Sequence, residues 1–155
     1  MDALNDLAKE MPVVFPAHPR TIKQIRNFKL TEMVCYEEDY LINPIKNKNQ
    51  NVLASPLLSY LDFLNLLSHA KIVLTDSGGI QEETTILGIL SSTLRNNTER
   101  LITIRERTNI LVGNKPNEIV MAVLRLINNR ITERRAPKYW DGRAAERITK
   151  ILVEN

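Results

Sequence analysis

The stretch VLTDSGGIQEETTILG, residues 73–88, is where this chain carries groups that could do chemistry. A β-prone run enters Asp76-Ser77-Gly78-Gly79, and a helical pattern begins at once. Glycine admits unusual dihedrals and lets a ligand approach the backbone closely. The free N–H groups at the start of a helix point outward, and the helix dipole there favours negative charge. Ser77 can cap the helix or give its hydroxyl to a phosphate. Ser77, Gly78 and Gly79 therefore read as a diphosphate cradle, although the same three residues also make an ordinary turn and N-cap. The pattern is neither a Walker loop nor G-x-G-x-x-G. Glu82 and Glu83 follow in the first turn or so. They either complement the dipole or accept hydrogen bonds from sugar hydroxyls. In LRNNTER, residues 94–100, Arg95 and Arg100 are either solvated charges or bidentate partners for phosphate oxygens. His18, in PAHPR, ends another apolar run. A lone histidine usually serves packing, but three strand ends converging on one edge favour a binding role.

The elements that must position these groups can be read from periodicity. Leu4, Leu7, Ala8 and Met11 follow helical spacing. PVVFPA (12–17), NVLAS (51–55) and KIVLT (71–75) read as strands. LSSTLR (90–95) reads as a weak fourth strand, and RTNILVG (107–113) as a short fifth. Helices are expected over PRTIKQIRNF (19–28), LSYLDFLNLLSHA (58–70), PNEIVMAVLRLINNR (116–130) and DGRAAERITKILVEN (141–155), besides the one that begins near Gly79. In the second of these, Tyr60, Leu61, Leu64 and Leu66 or Leu67 make one apolar face. Residues 31–50 are polar and lead into NKNQN, which reads as an exposed loop. Strands alternating with helices predict an α/β fold, a parallel sheet with helices on both faces. Ligands of such sheets bind beyond the carboxyl ends of the strands, where residues 18, 77–79, 95 and 100 fall.

The bulk numbers constrain the function without choosing it. The 155 residues suffice for one domain with a core. A net charge of +3 without a long basic run gives little support to a nucleic-acid partner. Cys35 is the only cysteine, which excludes an internal disulfide and suits the reducing cytoplasm. The N-terminal residues show no basic and apolar leader, and no apolar run approaches the roughly 18 residues of a membrane span.

FPAHPRT, PLLSYLDFLNLL, VLTDSGGIQEETTILG, TLRNNTER, TNILVG and YWDGRAAERI together resemble the non-hydrolysing UDP-N-acetylglucosamine 2-epimerases, in order and at fitting spacings. The resemblance implies the second lobe of a two-domain, glycosyltransferase-B-like enzyme with Rossmann-like domains. It also implies the reaction, inversion at C2 of UDP-GlcNAc to UDP-ManNAc through elimination and re-addition of UDP. No metal or redox cofactor is implied. Carried over by motif, His18, Ser77, Gly78 and Gly79 would contact the diphosphate. Glu83 would hold the ribose, and Arg100 would sit by the phosphate or sugar. Phe63, with Tyr60, would lie near the uracil, though both equally suit an apolar helix face.

Residues 1–155 match only the C-terminal lobe, so the acid/base carboxylates for C2 are expected in an N-terminal lobe and no catalytic residue is assigned here. The lobe's own first strand also lies before the matched part. A doubly wound sheet has that strand in its middle, so two strand edges are expected to stand open. Within the match the family has proline at Leu90 and Leu101 and glycine at Arg107, and Ser91-Ser92 interrupts an otherwise apolar strand. A truncated gene, a split gene and a degraded copy each fit. The chain is thus expected to be the UDP-binding half of an epimerase, completed by a separately encoded lobe or a homo-oligomer. The competing reading is a non-catalytic remnant or UDP-sugar-binding module, and a glycosyltransferase-like lobe fits SGGIQEE and TER less well.

Overall fold

The computed structural model describes residues 1–36, 52–128 and 136–154. The loop expected at NKNQN lies outside them. The chain forms two compact units, Met1–Asn65 and Leu66–Asn155.

In the first unit, α1 (Asp2–Ala8) precedes β1 (Val13–Pro16), α2 (Pro19–Asn27), a 3-10 turn (Thr31–Met33), β2 (Cys35–Tyr36) and β3 (Val52–Ser55). The three strands form a parallel sheet in the order β1-β3-β2. β2 was not visible in the sequence, because two residues are too few to show a period. Ala8, Ile25, Val34, Val52 and Ala54 form the core, with Phe15, Ile22, Leu30 and Met33 packed against it. Pro19 starts α2, where its missing N–H costs nothing. α3 (Tyr60–His69) runs across the division between the units. Its expected apolar face is only partly buried: Leu67 is enclosed, whereas Tyr60 and Leu61 are 63% and 75% exposed. Of the two readings open for Tyr60, uracil contact or core of an apolar face, the core one does not hold.

The second unit contains β4 (Ile72–Thr75), α4 (Gly78–Leu87), β5 (Leu90–Thr93), α5 (Leu101–Arg105), β6 (Asn109–Leu111), α6 (Pro116–Asn128) and α7 (Ala144–Glu154). Its sheet is parallel, in the order β4-β5-β6. The weak strand of the sequence is thus the central one, and all four of its residues are buried. Serine and threonine survive there because most of their hydroxyls are bonded. Ser91 Oγ donates to the Thr108 carbonyl and Thr93 Oγ1 to Asn109 Oδ1, while Ser92 Oγ has no partner. The interruption at Ser91-Ser92 is built into a polar core. α5 was missed by periodicity, since five residues make little more than one turn.

At the three positions where the resemblance implies other residues, the backbone would accept those residues. Leu90 opens β5 and Leu101 is the first residue of α5; a proline is tolerated at both places. Arg107 has φ 59°. The Thr108 N–H bonds to the Thr103 carbonyl and the Arg107 N–H to the Ile104 carbonyl, which is the Schellman arrangement that favours glycine at its left-handed position. Left-handed backbone costs an L-residue about 1–2 kcal/mol, and glycine returns part of that gain as unfolded-state entropy. Arg107→Gly is therefore expected to stabilise the chain by about 0.5 kcal/mol in urea unfolding. An unchanged or lower midpoint would show that the cap carries no strain.

The segment before α7 is tied by charge. Both Arg147 Nη atoms donate to the Asp141 carboxylate at 2.9 Å, and the Arg143 N–H donates to Asp141 Oδ1 at 3.0 Å. The Arg147 guanidinium, followed by the Arg143 N–H, holds the Asp141 carboxyl down to about 2. The folded value lies below the ordinary 3.8, so this tie contributes at pH values above about 4 and is lost as pH falls toward 2. An NMR titration of the Asp141 carboxyl should give a midpoint near 2, with the Arg147 side-chain signals shifting in step. A midpoint near 3.8 would remove the tie.

Candidate functional site

Each candidate group is placed by the end of a strand or the start of a helix. In the second unit, β4 delivers Ser77 to the start of α4. Ser77 takes the N-cap position with φ −84° and ψ 129°, but its side chain makes no cap hydrogen bond. Its own N–H donates to Thr75 Oγ1 at 3.1 Å. The Ser77 hydroxyl therefore does not serve as the helix cap, and the first-turn N–H groups of Gly78, Gly79 and Ile80 have no partner within the helix.

The two glycines do different things, and neither has the left-handed backbone that the sequence allowed for. A β-carbon on Gly78 would stand 2.7 Å from Glu99 Oε1 and 3.4 Å from Arg100 Nε. The side-chain ends of Glu99 and Arg100 thus occupy the space that a side chain at 78 would take. A β-carbon on Gly79 would meet nothing nearer than Ser77 Oγ at 3.9 Å, so that side of the turn is open. Arg100 comes to this turn from the other strand end. Its Nε lies 3.0 Å from Glu82 Oε1, although the N–H does not point at that oxygen. Both side chains are about two-fifths exposed, so the pair adds well under 1 kcal/mol and yields readily to a stronger anion. The site therefore holds an arginine beside an open, unsatisfied helix N-terminus.

A residue the sequence reading passed over holds these parts together. Gln81 is fully buried, and its Oε1 accepts from Thr98 Oγ1 at 2.8 Å and from Asn109 Nδ2 at 3.0 Å. Thr98 Oγ1 in turn accepts the Arg100 N–H at 3.0 Å. Gln81 thus joins α4 to the loop that carries Arg100. A polar side chain inside the SGGIQEE motif on the inward face of a helix was the available signal. The pair to Arg100 is made by Glu82 rather than Glu83, which is only partly exposed. Arg95 stands 3.6 Å from Glu99 Oε2. A cleft of about 440 Å³ between the end of β6 and α6, lined by Arg95, Asn96, Glu118 and Arg125 among others, includes none of residues 77–79.

In the first unit, His18 follows the end of β1 as the exposed N-cap of α2. Its Nδ1 accepts the Arg20 N–H at 3.2 Å, so Nε2 is the ring nitrogen left for another partner. Tyr60 is exposed at the start of α3 and Phe63 is partly buried one turn on. Among the described residues no three of His, Cys, Asp and Glu stand together as metal ligands. None of the described helices is long and apolar enough to cross a membrane.

The UDP-N-acetylglucosamine 2-epimerase family model matches residues 1–153. The chain belongs to this family. It is 35% identical to the UDP-N-acetylglucosamine 2-epimerase of Methanocaldococcus jannaschii over 91% of its own length and 35% of that relative. It is 36% identical to the Yersinia pestis enzyme of the same name over 97% of its length and 38% of that relative. The crystal structure of UDP-GlcNAc 2-epimerase from Neisseria meningitidis bound to UDP-GlcNAc is similar with a TM-score of 0.72 and 28% identity, covering 99% of this chain and 40% of that one. Residues 1–155 of the epimerase-family chain thus span well under half of the relatives they match, and the coverage fits a C-terminal portion. The α/β fold with parallel strands and flanking helices expected from the sequence is the one found.

Proposed function

We propose that residues 1–155 are the UDP-binding lobe of a UDP-GlcNAc 2-epimerase, which interconverts UDP-GlcNAc and UDP-ManNAc by eliminating and re-adding UDP. One observation carries the reading: the Arg100 guanidinium stands beside the open N-terminus of α4 at Gly78 and Gly79. Backbone N–H groups, a helix dipole and an arginine fork suit a diphosphate, which would displace Glu82 from Arg100 and turn Glu99 away. In the second unit, Ser77, Gly78, Gly79 and Arg100 are assigned to the diphosphate and Glu83 to the ribose. In the first, His18 is assigned to the diphosphate through Nε2, and Tyr60 and Phe63 to the uracil. The printed description of the Neisseria meningitidis structure, bound to UDP-GlcNAc, supports a nucleotide-sugar ligand.

The acid and base at C2 are assigned to a lobe outside residues 1–155, because His18, Glu83 and Arg100 are taken up by UDP. General acid/base steps need a group within hydrogen-bond reach of the reacting carbon. Such a lobe, or a homo-oligomer, is the proposed partner, and the cytoplasm, where nucleotide sugars and a free Cys35 both fit, is the proposed location. Incubated with UDP-GlcNAc and followed by proton NMR in deuterated water, residues 1–155 alone should form no UDP-ManNAc and exchange no C2 proton, while UDP binds. Turnover that disappears in Arg100→Ala would overturn the assignment of the chemistry. Failure to bind UDP would favour a non-catalytic remnant.

A further inference from the structure

The backbone of Arg100 is held from both sides by a closed ring of polar side chains. Its N–H donates to Thr98 Oγ1 at 3.0 Å. Its carbonyl accepts from Thr103 Oγ1 at 2.8 Å and from the Thr103 N–H at 3.0 Å. Thr98 Oγ1 donates its own proton to Gln81 Oε1 at 2.8 Å. Asn109 Nδ2 closes the ring, donating to Gln81 Oε1 at 3.0 Å and to Thr103 Oγ1 at 3.2 Å. Gln81, Thr103 and Asn109 are 0%, 0% and 1% exposed, so water does not compete for their bonds.

No regular element fixes Arg100 instead. It is the N-cap of α5 with φ −95° and ψ 52°, a pair that belongs to neither helix nor strand. α5 has five residues, too few to hold its own start. The path of the side chain depends on those two angles. The links of the ring are unequal. Gln81, Thr103 and Asn109 lie in the core of the second unit, whereas Thr98 is half-buried in the loop. Among the described residues, the Thr98 hydroxyl alone bridges the Gln81 amide and the Arg100 N–H. That place calls for a hydroxyl, because one atom must donate to an amide oxygen and accept from an N–H. Gln81 belongs to α4, the helix whose start carries Gly78 and Gly79, so the ring ties Arg100 to the other half of the site.

We propose that Thr98 is a positioning residue for the diphosphate: its hydroxyl fastens Arg100 to Gln81 and so sets the guanidinium beside the start of α4. The proposal rests on the reading above, that Arg100 and the first-turn N–H groups of α4 take a diphosphate. A ligand that bridges an arginine and a helix start binds best when the two already stand at its own span, because little ordering is then left to binding. Thr98 acts through Arg100 alone.

The test is a double-mutant cycle on residues 1–155, read by calorimetric titration of UDP and uridine. Thr98→Val keeps the shape and removes the hydroxyl. It should weaken UDP about tenfold and change uridine less than about twofold. Thr98→Ser keeps the hydroxyl and should bind UDP within about twofold of the wild type. In an Arg100→Ala background, Thr98→Val should cost less than about twofold more. Amide exchange without ligand, read by NMR, gives a second measure. The Arg100 amide should exchange at least about tenfold faster in T98V and recover in T98S, while Ser91, Ser92 and Thr93 stay unchanged. If valine disturbs those three strand amides, Thr98→Ala takes its place. Undiminished UDP affinity in T98V would overturn the proposal. So would an equal loss with and without the Arg100 side chain, which marks a merely structural threonine, or an Arg100 amide that exchanges no faster. UDP that fails to bind, or that binds Arg100→Ala as well as wild type, would instead overturn the proposed function, and the role of Thr98 with it.

Discussion

Replacing Gly79 by valine is expected to lower UDP affinity by about 3 kcal/mol, more than a hundredfold, through loss of roughly two charge-assisted hydrogen bonds. The open side of the turn is what makes the substitution informative. A β-carbon at 79 meets nothing nearer than Ser77 Oγ at 3.9 Å, and the backbone there is not left-handed, so the ligand-free turn has room for a β-carbon. What it fills is the approach of phosphate oxygens to the first-turn N–H groups. Uridine, which has no phosphate, should lose less than about twofold, or roughly 0.4 kcal/mol. Calorimetric titration of both ligands into wild type and variant, with circular dichroism as the fold check, separates the cases. Equal losses for both ligands would mean a folding defect, and unchanged UDP affinity would reduce the two glycines to a turn. Gly78 is the poorer site for this experiment, because its substitution pushes on Glu99 and Arg100 directly.

Asn109→Ala is expected to destabilise the second unit by about 3 kcal/mol. Asn109 is 1% exposed and sits where the polar core converges. Its Oδ1 accepts from Thr93 Oγ1 at 2.8 Å, and its Nδ2 donates to Gln81 Oε1 at 3.0 Å and to Thr103 Oγ1 at 3.2 Å. Truncation removes three bonds at about 1 kcal/mol each and leaves buried partners without a mate. The loss is a large part of an ordinary domain's stability, so the urea midpoint should fall sharply with little change in slope. A change below about 1 kcal/mol would show that water or relaxation replaces the network.

Much of the fold was legible because its pattern is local. KIVLT and NVLAS are short apolar runs, and Pro116 marks the start of α6 at the residue where the helix begins. The glycine-rich turn after β4 was readable for the same reason, since a strand end, two small residues and a helix start follow one another in the chain. The rest depended on contacts across the chain. Nothing around residue 90 shows that Ser91 and Ser92 are fully enclosed, because their environment is made by Thr108 and Asn109, far along the sequence. Gln81 looked like one polar residue among several, and only the fold reveals that it grips the loop of Arg100. Tyr60 and Leu61 satisfied the helical period and yet remain exposed, since a period names a face without naming what covers it. Arg107 shows the reverse case. A position where the resemblance implies glycine carries arginine and still has a left-handed backbone.

The central claim is that the open start of α4 receives a diphosphate. It is tested most directly by titrating UDP into labelled residues 1–155 and following backbone amides by NMR. The amides of Gly78, Gly79 and Ile80 should move with saturating UDP, together with the Arg100 side-chain Nε–H, and uridine should leave these four signals where they are. Saturable binding of UDP that shifts other amides while those four stay still would contradict the account.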